Sequence, residues 1–117
     1  MLRSHSCGEL RGEHAGQTIQ ICGWVHRLRD VGQLVFVTLR DRYGQTQCVF
    51  DESQQDKTLK ESLKQLSYEY CVQVTGQVRL RREKDQNQNL PTGAVEVVIT
   101  AINVLSTSNV LPFQVKD

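Results

Sequence analysis

The chain has 117 residues, 38% of them hydrophobic and 23% charged, with a net charge of +1 from 14 basic and 13 acidic side chains. That composition fits one globular domain with a real core and excludes a disordered tail. It also excludes a protein held to nucleic acid by bulk charge alone, while leaving room for a local basic surface.

Near the N-terminus, Ser6 and Glu9 have capping-box spacing, which predicts a short helix ending before Gly16. Thr18–Leu28 alternates, with Ile19, Ile21, Gly23 and Val25 on one face and Gln20, Cys22, Trp24 and His26 on the other, the signature of a long strand. Asp30-Val31-Gly32 signals a turn into a second strand, Leu34–Arg40, and Asp41–Gly44 a turn into a third, Gln45–Phe50. The period then changes. Leu59, Leu63 and Leu66 form a helical stripe over Ser53–Ser67, with Ser53 placed to cap it. A fourth strand is expected over Tyr70–Arg81, a long polar loop over Arg82–Gly93 and a fifth strand over Ala94–Leu105. Ser106–Asp117 has no period and reads as a tail.

Three strands, a helix and two more strands is the layout of an OB-fold barrel. The expected class is therefore all-β: a five-stranded OB-fold with one helix between strands three and four and a short N-terminal helix. Gly23 and Gly76 fall where a small barrel must bend. An α+β sandwich is the alternative.

Cys7, Cys22, Cys48 and Cys71 contain no C-x-x-C pair, so no zinc site is expected. Met1–Leu10 carries no apolar signal segment, and no run approaches the ~20 apolar residues of a membrane span. Reduced, buried thiols in a cytoplasmic protein are the expectation.

No phosphate loop, nucleophile elbow or metal-binding helix motif is present, and His5, His14 and His26 have no telling partners, so no catalytic residue is assigned. Binding is better supported. If Val35, Val37 and Leu39 face the core, Phe36 faces out, where a base can stack on it. Alternation alone does not separate this from Phe36 packing under a loop or on the helix. Arg27 and Arg29 share a side of the pleat, suited to bases or phosphates, or simply to a solvated strand end. Gln47 offers an amide able to read a base edge, and Glu96 a carboxylate whose use beside RNA would be to accept from a base N–H. Arg79 and Arg81 point together from strand four as backbone contacts, and Trp24 reads as structural.

The runs C-G-E-L-R (7–11), C-G-W-V-H-R-L-R-D-V-G (22–32), L-R-D-R-Y-G-Q-T-Q (39–47), T-G-A-V-E-V (92–97) and V-L-P-F (110–113) closely resemble the N-terminal domain of bacterial-type aspartyl-tRNA synthetases. The resemblance covers nearly the whole chain. It implies an OB-fold over residues 1–105 that binds the anticodon G-U-C of tRNA-Asp, the first G often being queuosine, and a tail over 106–117 that leads into the hinge of a catalytic domain. It implies that Phe36 stacks on the central uracil, Gln47 reads its edge, Glu96 reads the first base, Arg27 and Arg29 hold the third base and nearby backbone, and Arg79 lies near the anticodon stem. It further implies that the full class II enzyme ligates aspartate with ATP and Mg and is a homodimer, whereas this chain by itself has no cofactor and is expected to be a monomer. Two positions depart from the family pattern: Leu28 breaks an R-R-R-D run, and Ala94 stands where a first Glu is usual.

Three other readings remain at this point. A free-standing single-strand binder predicts several stacking aromatics, where Phe36 and Tyr43 are the candidates. The same domain from an asparaginyl- or lysyl-tRNA synthetase shares the fold. A protein-interaction module would use Phe36 as an anchor.

Overall fold

The first strand, β1 (Thr18–Val31), is long enough to serve two neighbours. Its first half pairs antiparallel with β4 (Cys71–Leu80), from Thr18–Gln77 to Trp24–Cys71, and its second half pairs with β2 (Leu34–Asp41), from Trp24–Arg40 to Val31–Leu34. A two-residue turn, Gly32-Gln33, joins β1 to β2, with Gly32 at a φ of 64° that suits a residue without Cβ. The strand therefore runs past the expected Leu28, and the turn begins at Gly32. β3 (Gly44–Asp51) returns along β2, and β5 (Val95–Ser106) lies between β3 and β4. The strand order β1-β2-β3-β5-β4 closes on itself, and the closing β3–β5 pair is parallel. This computed structural model describes residues 3–51, 63, 66, 70–82, 86 and 92–106.

Of the alternating apolar residues, Ile19, Ile21, Val25, Val37, Leu39, Val72, Val74, Val78, Val95, Val97 and Ile99 are buried, as are Cys48 and Phe50 of β3, whereas Leu80, in step with Val78, is exposed at the end of β4. Full burial of such side chains stabilises the fold by roughly 1.5–3 kcal/mol each against leaving them exposed. Two glycines make closure possible. A Cβ on Gly23 would lie 2.6 Å from the Arg40 carbonyl oxygen, and one on Gly76 would collide with the Val98 carbonyl.

The N-terminal segment seals one end. Cys7 and Leu10 are fully buried, and the Ser6 amide donates to Glu9 Oε1 at 2.6 Å, half of the expected capping box. The segment then forms a single 3-10 turn, Gly12–His14, rather than a longer helix. Asp41 ties this segment to the β2–β3 turn: Oδ2 accepts from the Cys7 amide (2.9 Å) and Oδ1 from the amides of Tyr43 (2.8 Å) and Gly44 (3.1 Å). The helix expected over Ser53–Ser67 lies almost wholly outside the described residues; of its stripe, Leu63 and Leu66 are described and both are buried in the core. Among the described residues no helix is long and apolar enough to cross a membrane.

Candidate nucleic-acid interface

Strand pairing places the polar outward residues in rows across the sheet. Gln47 on β3 faces Thr38 on β2, which faces Arg27 on β1. On the other side of Gln47, the parallel β3–β5 pair sets Glu96 beside it, and Glu96 faces Arg79 on β4. One row thus reads Arg79, Glu96, Gln47, Thr38, Arg27 across all five strands. Two residues further along, a second row reads Val49, Phe36, Arg29.

The phase of β1 depends on a bulge. Its register shifts by one between Val25 and Arg27, so His26 is the extra residue. Without it, strict alternation would carry Arg27 and Arg29 onto the same side as Val25, into the core. With it, Leu28 packs against the core while Arg27 and Arg29 are exposed on the outer face. Arg29 lies with its guanidinium carbon 5.2 Å from the centroid of the Phe36 ring, a cation–π arrangement that leaves the ring half-buried.

Glu96 is an enclosed charge on this face, at 8% exposure. Both of its oxygens are satisfied: Gln47 Nε2 donates to Oε1 at 3.0 Å and Arg79 Nε donates to Oε2 at 2.6 Å. A buried carboxylate requires such partners. The Arg79 side chain is 54% exposed, so its remaining N–H groups face solvent.

Arg29, Phe36, Gln47, Arg79 and Glu96 together line one cleft of about 840 Å3. Arg27 stands on the same face but outside the cleft wall. Leu34, Val49, Val31 and Leu80 also line the cleft, adding apolar floor and rim that the motif reading did not single out. Val49 was legible in principle, as an apolar residue in the outward phase of β3 opposite Phe36. Arg81 also lines the cleft, where it is buried and its Nε donates to the Val95 carbonyl at 2.8 Å. Tyr43 is half-exposed at the β2–β3 turn, away from the cleft, and Trp24 lies outside it in the row of Arg40. Among the described residues no cluster of His, Cys, Asp and Glu is arranged to hold a metal ion.

The chain is 49% identical over all 117 residues to an aspartate–tRNA(Asp/Asn) ligase of Kineococcus radiotolerans, covering 19% of that protein. It is 44% identical over all 117 residues to an aspartate–tRNA ligase of Phocaeicola vulgatus, again covering 19%. The chain thus spans about a fifth of the length of these relatives. Its fold is similar to that of the asparaginyl-tRNA synthetase of Pyrococcus horikoshii, with a TM-score of 0.75 and 27% identity over 91% of this chain and 23% of that one. An OBody bound to hen egg-white lysozyme shares the fold at a TM-score of 0.79 and 23% identity, over 91% of this chain and 95% of that one. The family of OB-fold nucleic acid binding domains that includes tRNA anticodon domains matches residues 19–105. With its closed five-stranded barrel and its match to aspartate–tRNA ligases along its whole length, this chain belongs to that family.

Proposed function

We propose that this chain is the anticodon-reading domain of an aspartate–tRNA ligase and that its cleft binds the G-U-C anticodon of tRNA-Asp, with queuosine or guanine first. The observation that carries the reading is the shared cleft. A stacking ring, an amide and a carboxylate, the three kinds of group needed to hold and read unstacked bases, line it together with arginines. Phe36 is the platform for the central base, Gln47 and Glu96 read base edges, and Arg27, Arg29 and Arg79 hold the strand. Residues 1–105 form this domain, and 106–117 lead toward a catalytic part. The whole enzyme would join aspartate to tRNA in the cytoplasm as a homodimer, using ATP and Mg bound outside this domain.

A generic single-strand binder fits less well, because Phe36 is the one aromatic lining the cleft among the described residues. The deciding experiment is calorimetric titration of the 117-residue chain with two anticodon stem-loops, one bearing G-U-C and one with the central U replaced by C, at two salt concentrations. Preference for G-U-C that persists at the higher salt is the expected result. Equal binding that fades with salt would reject base reading.

A further inference from the structure

The outward rows do not stop at Gln47 and Thr38. Two residues further along the β2–β3 hairpin, away from Phe36, the next row is Gln45, Arg40 and Trp24. At the 3.3 Å rise of a strand, Arg40 stands roughly 13 Å from Phe36 along β2. A second, smaller cleft of about 260 Å3 opens there, with Arg40, Arg42, Tyr43 and Gln45 on its walls. Gln45 belongs to this cleft and Gln47 to the first, so the two are steps along one face.

The chemistry of this second cleft is cationic. Arg40 and Arg42 are exposed, and among the described residues neither guanidinium has a hydrogen bond or an ion pair. Arg42 instead lies over the ring of Tyr43, with its guanidinium carbon 5.4 Å from the centroid, and Arg3 lies over the same ring at 5.2 Å. Stacking on an aromatic ring leaves the guanidinium edge, with its N–H donors, directed to solvent in a restricted orientation. With two guanidinium groups against it, the ring is better suited to orient arginines than to stack a base. The nearby carboxylate, Asp41, is already committed to the Cys7, Tyr43 and Gly44 amides and to Arg3, whose Nη1 lies 3.4 Å away. The unpaired guanidinium groups of Arg40 and Arg42, the second oriented by the Tyr43 ring, fit the paired acceptor oxygens of a phosphodiester.

We infer that the Arg40–Arg42–Tyr43 cleft is a second RNA contact, a sequence-independent clamp for the sugar–phosphate backbone of the strand whose bases occupy the Phe36 cleft. The inference rests on the proposed anticodon reading. An acidic protein segment would offer matching charges too. Continuity with the base-reading rows favours RNA, because one strand can span both clefts.

The test compares two RNAs on the intact chain: the trinucleotide G-U-C, too short to reach from Phe36 to Arg40, and a 17-nucleotide anticodon stem-loop. The expected result is that R40Q/R42Q weakens stem-loop binding about tenfold at low salt and lowers the salt slope of log K by about one to two, whatever the anticodon sequence. Binding of the trinucleotide should change less than twofold. R42K, which keeps the charge, should retain most of the salt slope. Equal losses on both RNAs, or an unchanged slope, would overturn the clamp while leaving base reading intact. Unchanged stem-loop binding together with lost binding to an acidic peptide would reassign the surface to protein. If the wild-type chain binds neither RNA, the anticodon reading and the clamp both fail.

Discussion

Gln47 and Glu96 fix one another's chemistry. A carboxylate can only accept, so the atom of Gln47 lying 3.0 Å from Glu96 Oε1 is the amide nitrogen, and the amide oxygen is the atom turned away toward the cleft. Gln47 therefore meets a ligand chiefly as an acceptor. It suits a base edge that carries an N–H, which uracil has at N3 and cytosine lacks at the same place. Replacing Gln47 with Ala should remove about 1–2 kcal/mol of preference for the central U over C, at the scale of a good base contact. Comparative titration of the two stem-loops measures this. Equal weakening on both RNAs would refute the edge-reading role.

Glu96→Gln should act with the opposite sign on overall affinity. The carboxylate repels phosphate, and its removal frees Arg79 from a 2.6 Å ion pair. Total RNA affinity is expected to hold or rise. Discrimination of guanine from adenine at the first position should fall severalfold. A uniform loss of affinity with discrimination intact would show that Glu96 is purely structural.

Phe36→Ala should cost about 1–3 kcal/mol of RNA binding through lost stacking. Phe36→Leu should recover the fold's stability but little of this affinity, because an aliphatic side chain lacks a π-face. Thermal melting of the free protein separates the two effects.

Gly76→Ala is expected to destabilise the barrel by about 1–3 kcal/mol, lowering the melting temperature by about 5–10 °C. The added Cβ meets the Val98 carbonyl and a Val97 methyl, both held in the β4–β5 pair, so neither can yield cheaply. Gly16, with nothing within 4 Å of a built Cβ, should show only the smaller conformational penalty of its positive φ of 91°.

The four cysteines are buried thiols outside any disulfide, and burial pushes the Cys22 thiol up to about 11 and the Cys7 and Cys48 thiols well above their ordinary value. A thiol reagent at pH 8 should leave the native protein unmodified and titrate four thiols in denaturant. These shifts set the sign of the pH dependence. The unfolded chain loses these protons near 9 and the folded one higher, so the unfolded state binds fewer protons between those values. The thiols' contribution to stability should therefore be constant below about pH 8 and fall above it, by roughly 1.4 kcal/mol per pH unit for each thiol still protonated in the fold. Denaturant melts at pH 7, 8.5 and 9.5 provide the check.

Much of this protein is readable from local pattern. Period-two alternation sets the five strands and their buried faces, because burying one face of a pleated strand requires apolar side chains at every second residue. Glycines at 23 and 76 mark close approaches, because no Cβ fits there. The outward positions of Phe36, Gln47 and Glu96 follow from the same alternation. The orientation of Arg27 and Arg29 does not. It depends on a one-residue bulge at His26, set by how β1 divides its pairing between β4 and β2, and no local signal in the sequence announces it. The ion pair of Arg79 with Glu96, the hydrogen bond from Gln47 and the burial of Arg81 likewise join strands distant in sequence. Local periodicity determines which face a residue takes within its strand, whereas the closure of the barrel decides which residues of different strands become neighbours.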